Sequence, residues 1–264
     1  MEFKYYQVDA FTDKIFGGNS ACVVPLDSWL PDYLLQKIAL ENAVAETAFF
    51  ITTGDKIQLR WFTPEIEMDL CGHATLATAH VINHILKIKA SAYIFSTLSG
   101  ELVVKESGGL YSMALPVRVA APTPLPDQLR DSFSIAPSES YKARDWLLVY
   151  DSVESIKNIK INRAEFDKIN MLTGGVIITA QGTECDFVSR FFSPQASILE
   201  DPVTGSSHCT LIPYWSKRLG RKEMNAMQLS ERVGILQCTM LEDEDVVLVA
   251  GRAVTYSSGV FYIP

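Results

Sequence analysis

A five-residue segment that occurs twice constrains the fold of this 264-residue chain more than any other feature. Residues 60–64 read RWFTP and residues 190–194 read RFFSP, so the copies are 190 − 60 = 130 positions apart, close to half the chain. Each copy runs on into a glycine at the start of a predicted helix, Gly72 in CGHATLA and Gly205 in TGSSHCT. Matching text in a matching strand-to-helix context indicates an internal duplication. We therefore expect two similar domains, each with one such helix start.

A proline-rich segment marks the expected boundary between the domains. Residues 116–126 read PVRVAAPTPLP, with four prolines in eleven positions, a composition typical of a linker. We expect an N-terminal domain at 1–116 and a C-terminal domain at 127–264, with terminal strands able to cross from one to the other. On both sides short β-rich runs alternate with a few helical segments, which predicts an α+β class. The last helix is expected to begin near Ser206, and Pro213 to kink it or delay its start.

Charge and composition exclude several classes of function. The net charge is −8 and there is no basic run, so a nucleic-acid partner is not expected. No segment approaches the roughly 20 apolar residues of a membrane helix, and the N-terminus lacks the basic and apolar regions of a signal peptide. Five scattered cysteines without CxxC spacing indicate a reducing compartment. We therefore expect a cytoplasmic protein with no nucleic-acid or membrane partner.

The two helix starts could form an anion site. The first backbone N–H groups of a helix have no partner within it, and they carry the positive end of the helix dipole. Two such starts that faced one cleft would bind a carboxylate or a phosphate. Alternatively, Ser206 or Ser207 is a plain N-cap that stabilises its helix by about 1 kcal/mol and has no further role. The sequence leaves both interpretations open, and the same holds for Gly72 and His73.

Two carboxyl groups stand in surroundings that suit chemistry. Glu46, in AVAETAFF, is flanked by alanine, threonine and phenylalanine rather than by other charges. If it is buried beside a cleft, its pKa should rise toward neutrality, as a general acid/base requires; a capping or ion-paired glutamate is the alternative. Asp201 precedes Gly205 by four residues. It either forms a turn before Pro202 or holds a carboxylate beside the helix start.

The histidines divide into a pair and a single candidate. His80 and His84, in HVINH, have the i,i+4 spacing of a zinc-binding helix, but Val81 stands where that motif has its glutamate. The neighbouring isoleucines indicate core, so no metal site is expected. His73 differs because it lies at a helix start, beside the proposed cleft.

Four segments together resemble the phenazine-biosynthesis PhzF-like isomerase family, which shares the diaminopimelate epimerase fold: FGGNSACVV, AVAETAFF, RWFTPEIEMDLCGHATLATAHV and EDPVTGSSHC. The resemblance runs nearly end to end. It implies two similar domains, each a strongly bent, mostly antiparallel sheet wrapped around a central helix, with the active site in the cleft between them. It also implies a homodimer, and neither a metal nor an organic cofactor.

Carried over position by position, the resemblance implies a set of functional residues. The catalytic residues would be Glu46, His73 and Asp201, and the substrate-binding residues would be Gly72, Gly205, Ser206 and Asn19. The implied reaction is a proton shift, in which Glu46 removes a proton from an activated carbon and returns it to another carbon of a small carboxylate substrate. His73 and Asp201 would orient the substrate and relay protons, while helix-start N–H groups stabilise developing charge.

Two other functions stay open at this point. The parent fold offers a racemase or epimerase mechanism in which two cysteines act on opposite faces of one carbon. Cys71 precedes Gly72, but Thr204 precedes Gly205, and an alcohol cannot replace the second thiol as a base. A one-cysteine variant therefore remains as an alternative, although Cys71 also reads as a small apolar residue at a loop end. A catalytically weak ligand-binding member of the fold is the other alternative, because a fold does not fix a function.

Overall fold

The computed structural model describes residues 1–54, 56–171, 174–241 and 245–263. The chain forms two compact units, one made of Met1–Ala114 with Ala250–Pro264 and the other of Leu115–Val249. It leaves the first unit next to the proline-rich segment and re-enters it near the C-terminus. The C-terminal strand therefore belongs to the same unit as the N-terminal strand.

The secondary structure alternates strands with short helices throughout. The elements of the first part of the chain are β1 (Glu2–Ala10), β2 (Asn19–Pro25), α1 (Asp32–Asn42), β3 (Glu46–Thr53), β4 (Lys56–Phe62), β5 (Glu67–Met68), α2 (Gly72–His80), a π-helical turn (Val81–Ile85), β6 (Ala92–Thr97), β7 (Gly100–Ser107) and β8 (Leu110–Pro116). Those that follow are β9 (Ala121–Pro122), α3 (Asp127–Arg130), β10 (Glu139–Lys142), β11 (Trp146–Val149), α4 (Val153–Asn158), α5 (Arg163–Phe166), β12 (Val176–Gln181), β13 (Phe187–Phe192), β14 (Glu200–Asp201), a 3-10 turn (Gly205–Ser207), α6 (His208–Leu219), β15 (Glu223–Gln228), β16 (Gly234–Met240), β17 (Val246–Gly251) and β18 (Ala253–Tyr262).

The two units repeat one strand topology. In the first, β2 pairs parallel to β3, β3 antiparallel to β4, β4 antiparallel to β5 and parallel to β6, and β6 antiparallel to β7. In the second, β11 to β16 make the same sequence of parallel and antiparallel pairings. The first unit adds β1 and β18, which pair antiparallel along their lengths. The predicted α+β class with two similar, mostly antiparallel units is confirmed.

The duplicated five-residue segment has the same structural role in both units. Arg60 on β4 contacts both carboxylate oxygens of Glu67 on β5, at 2.7 and 2.8 Å. Arg190 on β13 contacts both oxygens of Glu200 on β14, each at 2.7 Å. Bidentate arginine–carboxylate pairs fix geometry as well as charge. Each pair therefore holds the short strand that leads into the helix start of its own unit.

The helix after the first of these short strands is buried. Every residue of α2 from His73 to His80 is buried, and most of these residues are small, so the helix lies against its sheet rather than on the surface. The helix predicted to start at Gly72 is α-helical to His80 and continues as the π-helical turn. No helix in the described ranges is long and apolar enough to cross a membrane.

The start of α6 differs from the prediction. A 3-10 turn comes first, and the α-helix begins at His208 rather than near Ser206. The reason is that two side chains occupy the Thr204 carbonyl, the Ser207 hydroxyl at 2.7 Å and the His208 Nδ1 at 2.9 Å. An α-turn would give that carbonyl to the backbone N–H of His208. Pro213 lies inside the helix and has no N–H to donate to the Cys209 carbonyl four residues earlier. The backbone N–H of Arg118 donates to that carbonyl instead.

Candidate active site

Glu46 and His73 meet in the first unit. Glu46 is the first residue of β3, and His73 is the second residue of α2. The His73 Nε2 and Glu46 Oε2 atoms are 2.9 Å apart, with side chains that are 5% and 15% exposed. The approach is close enough for an ion pair but too bent for a regular hydrogen bond. Catalytic contacts of this kind often align only when a substrate is bound.

Asn19 joins this pair from the neighbouring strand. It opens β2, which runs parallel to β3 with Ala21 opposite Glu46. Its Nδ2 lies 3.2 Å from His73 Nδ1, so the imidazole is contacted on both ring nitrogens. The chain reaches Asn19 through Gly18, which has φ +59° and lies so close to the Ala10 carbonyl oxygen that an added Cβ would be 2.0 Å from it. Only glycine fits there.

Cys71 is a contact that the sequence interpretation missed. It is the N-cap residue of α2, and its Sγ lies 3.6 Å from His73 Nδ1. Its carbonyl accepts from Thr75, both from the backbone N–H at 3.2 Å and from the hydroxyl at 2.6 Å. The expectation of a small apolar residue at a loop end describes its burial but not its partner. The available signal was the C-x-H spacing, because the N-cap and second helical positions can approach each other at a helix start.

The electrostatics of the group favour a protonated imidazole. Burial lowers the pKa of His73, but the neighbouring Cys71 and Glu46 outweigh it, and the pKa is well above its usual 6.5. Burial raises the pKa of the Cys71 thiol, and the charge of Glu46 raises it further, while His73 and the backbone N–H of Ala74 act in the opposite direction. The surroundings of His73 therefore favour the protonated form of its imidazole.

The same three residues are the one group of metal-ligand type found in the described part of the chain. Their donor atoms, one each from Glu46, Cys71 and His73, lie within 4.8 Å of one another. Glu46 contacts Nε2 of the ring, however, and Cys71 contacts Nδ1. One ion cannot use both nitrogens of one imidazole, so the arrangement suits proton transfer along the ring better than it suits a tetrahedral site.

The other predicted site residues lie in the second unit. Asp201 ends β14, and its Oδ2 accepts from the Thr204 hydroxyl at 2.5 Å. Gln228 holds the same segment, because its side chain donates to the Asp201 carbonyl at 2.8 Å and accepts from the Thr204 N–H at 2.9 Å. Gly205 and Ser206 form the 3-10 turn that follows. The structure thus brings Glu46, His73, Gly72 and Asn19 together in one unit, and Asp201, Gly205 and Ser206 together in the other.

The helix starts are not capped by the serines. The N-cap of the 3-10 turn is Thr204, and neither Thr204 nor Cys71 makes a side-chain cap hydrogen bond. Ser207 donates to a carbonyl instead of accepting from an N–H. Ser207 stands at the N-cap position of α6 but makes no capping hydrogen bond, so the plain N-cap interpretation is wrong for Ser207. Thr204, rather than Ser206, occupies the N-cap position of the 3-10 turn.

The two units carry different predicted site residues at equivalent positions. The sheet register pairs Phe49 with Arg60 and Ile178 with Arg190, so the position equivalent to Glu46 is Gly175. A Cβ at Gly175 would lie 2.4 Å from Phe191 Cζ, which leaves no room for a second glutamate. By the same equivalence, Asp201 has Met68 as its counterpart.

The His80 and His84 pair is a separate feature of the first unit. Their rings stack with centroids 5.1 Å apart, and His80 Nε2 lies 2.9 Å from Thr255 Oγ1. They line a cavity of about 420 Å³ together with Tyr111 and Arg252. Burial and the nearby His84 lower the pKa of His80 to about 4. The pair is not part of the metal-ligand group found among the described residues.

His208 should make the second unit sensitive to acid. Burial lowers its pKa to about 4, from 6.5. Between these values the unfolded chain binds a proton that the folded chain does not, so stability falls as pH falls, by about 3 kcal/mol in all. We expect urea unfolding at about pH 7 and about pH 4.5 to show a smaller loss in His208→Gln, whose side chain cannot titrate. An equal loss in both proteins would contradict this assignment.

The chain is similar to known proteins over nearly its whole length. The family model described as phenazine biosynthesis-like protein (PhzC-PhzF) matches residues 8–259. A Pseudomonas aeruginosa protein named as an uncharacterized isomerase is 43% identical over 264 residues, covering 100% of both chains. A solved PhzC/PhzF protein from Clostridium difficile is 46% identical with a TM-score of 0.93, over 99% of this chain and 100% of that one. A PhzF family protein from Enterococcus faecalis is 39% identical with a TM-score of 0.95, over 100% of both.

Proposed function

The chain belongs to the phenazine biosynthesis-like (PhzC/PhzF) family of isomerases, and we propose that it shifts a proton between two carbons of a small carboxylate substrate with Glu46 as the acid/base. One observation carries this proposal: Glu46 Oε2 lies 2.9 Å from His73 Nε2 at the start of a buried helix. A carboxylate held by an imidazole is a group that can accept and return a proton. The one-cysteine racemase and the ligand-binding alternative assign no role to this contact between Glu46 and His73.

The proposed step needs no group beyond the substrate and these side chains. The Glu46 carboxylate takes a proton from an activated carbon, and the electron pair of that C–H bond delocalises into the substrate. The same proton then bonds to a second carbon, and Glu46 returns to its carboxylate form. His73, through Nε2, holds the carboxylate in place and adjusts to its change of charge.

The start of α2 supplies the binding contacts on this side. Its first-turn N–H groups carry the positive end of the helix dipole, and the N-cap side chain does not occupy them. A substrate carboxylate there would be held by the backbone at Gly72, with Asn19 beside it. These contacts support a carboxylate as the recognised group.

Asp201 is assigned to the same reaction by the family resemblance, together with Gly205 and Ser206. We expect Asp201→Asn to lower kcat/KM by about 10²-fold or more. The amide oxygen can still accept from the Thr204 hydroxyl, so the segment keeps its fold and the loss reports the missing carboxylate. Circular dichroism and thermal unfolding provide the control. Unchanged turnover in the folded variant would remove Asp201 from the reaction.

The experiment that tests the function starts from a ligand screen. Carboxylate-bearing metabolites that raise the thermal unfolding temperature are incubated with the protein in deuterated buffer, and their carbon skeletons are followed by NMR. Isomerisation supports the proposal, whether the migrating hydrogen is retained or is replaced by deuterium from the solvent. Tight binding with neither isomerisation nor exchange supports the ligand-binding alternative.

The two-cysteine mechanism finds no second base in the second unit. Thr204 occupies the position of Cys71, and its hydroxyl donates to Asp201. Cys209, further along in α6, is buried, and burial raises the pKa of its thiol to about 11.

A cytoplasmic, homodimeric enzyme remains part of the proposal; the five unpaired cysteines suit a reducing compartment.

A further inference from the structure

Cys71 differs from the other four cysteines of the chain. All five thiols are free. Within the described residues, Cys71 alone has an imidazole nitrogen within hydrogen-bond reach of its sulfur. We propose that Cys71 is a positioning residue that sets the protonation of His73 and, through His73, the readiness of Glu46 to exchange a proton. This inference rests on the proposed function and adds a third side chain to its acid–base group.

The contacts of His73 Nδ1 define what Cys71 does. That nitrogen faces the Asn19 amide nitrogen at 3.2 Å and the Cys71 sulfur at 3.6 Å. An amide nitrogen can only donate, so in the neutral ring Nδ1 accepts and the ring proton resides on Nε2. Nε2 is the atom that faces Glu46. The neutral ring therefore presents its proton to the catalytic carboxylate.

The thiol also serves the protonated ring. An imidazolium carries a proton on Nδ1 as well, and the Asn19 amide nitrogen cannot accept it. The Cys71 sulfur can, because a thiol donates weakly through S–H and accepts weakly through sulfur. Cys71 thus lets His73 gain and lose a proton at Nδ1 while Nε2–H stays directed at Glu46. No bond to sulfur forms or breaks in this role.

The backbone keeps the sulfur in place. Cys71 is the N-cap of α2, and its carbonyl is held by Thr75. Its side chain is buried, and the charges of Glu46 and His73 act on its thiol in opposite directions. A change at the sulfur is therefore felt at the His73 ring, 3.6 Å away.

The second unit uses the equivalent position in the same way. Thr204 is the N-cap of the helix start there, and its hydroxyl donates to the Asp201 carboxylate at 2.5 Å. In both copies the N-cap side chain leaves the helix N–H groups uncapped and instead contacts a predicted catalytic residue. A purely structural cysteine would not need this match.

The test compares Cys71→Ala and Cys71→Ser with the wild type by NMR titration of the histidine ring. The His73 signal is identified by its absence in His73→Asn. Loss of the sulfur should lower the His73 pKa in Cys71→Ala, and the hydroxyl of Cys71→Ser should restore part of the difference. The limb of the pH profile of turnover that reports His73 should move to lower pH by the same amount.

Cys185→Ala is the matched control, because Cys185 contacts the Phe187 carbonyl and no imidazole. It should leave the His73 titration unchanged. An unshifted His73 pKa in both Cys71 variants would overturn the proposal. Loss of turnover by several orders of magnitude with an unshifted pKa would also overturn it, in favour of Cys71 as a base. The titration needs no substrate, so it stands even if the proposed reaction fails.

Discussion

Glu46→Gln is expected to lower kcat/KM by about 10³-fold or more while the protein stays folded. Glutamine has nearly the same shape and can still contact His73 Nε2, but it cannot accept a proton from carbon at neutral pH. Because Glu46 has Gly175 as its counterpart, the second copy has no carboxyl group at the equivalent position. The measurement is steady-state turnover of a substrate found in the carboxylate screen.

Glu41→Gln is the matched control for this variant. Glu41 lies on the exposed side of α1, and its replacement by glutamine removes the same charge as Glu46→Gln does. It should retain wild-type turnover. Comparable losses in Glu41→Gln and Glu46→Gln would show that overall charge, rather than the Glu46 carboxylate, controls the reaction.

His73→Asn is expected to lower kcat by about 10²- to 10⁴-fold, with a smaller effect on KM. The imidazole is the group that holds Glu46, and its removal leaves the carboxylate without a cationic partner as its charge changes. Asparagine keeps a polar side chain in a buried position, so part of the folding free energy is retained. Single-turnover kinetics separates the chemical step from substrate binding.

His80→Asn controls for the loss of a buried histidine from the same helix. His80 contacts Thr255 and lies at the opposite end of α2 from the proposed site. His80→Asn should lower the free energy of unfolding about as much as His73→Asn does, but it should retain turnover at low temperature. If His80→Asn loses as much activity as His73→Asn, the effect comes from the helix and not from the imidazole at its start.

The duplication could be predicted from the sequence because two short segments have nearly the same amino-acid sequence. RWFTP and RFFSP place an arginine on the inner strand of each unit, and the chain then turns back to a glutamate that pairs with it. The glycines at the helix starts follow 12 residues after Arg60 (72 − 60) and 15 residues after Arg190 (205 − 190). Glu46 and His73, predicted as site residues through the family resemblance, do come within contact distance, although they are separated by 27 positions (73 − 46).

Other features depend on contacts that the local sequence does not encode. The 3-10 turn before α6 forms because the Ser207 and His208 side chains occupy the Thr204 carbonyl, a competition that propensities do not contain. The role of Cys71 is hidden for a similar reason. Its composition signal is that of a small apolar residue, and only the geometry of the helix start turns its sulfur toward His73.

The unequal division of side chains between the copies also needed the structure. The sheet register shows that Gly175 takes the place of Glu46, and the ring of Phe191 fills the space that a side chain there would need. One copy therefore carries the carboxylate–imidazole pair, and the other carries Asp201. The sequence repeat alone would suggest two equivalent half-sites.

The fate of a single label tests the central claim that Glu46 transfers a proton from carbon. A substrate deuterated at the reacting carbon is followed by NMR with the wild type and with Glu46→Gln. We predict that the wild type moves the label to a second carbon or releases it to solvent, and that Glu46→Gln leaves it in place over the same time. Departure of the label at the wild-type rate in folded Glu46→Gln would contradict the account.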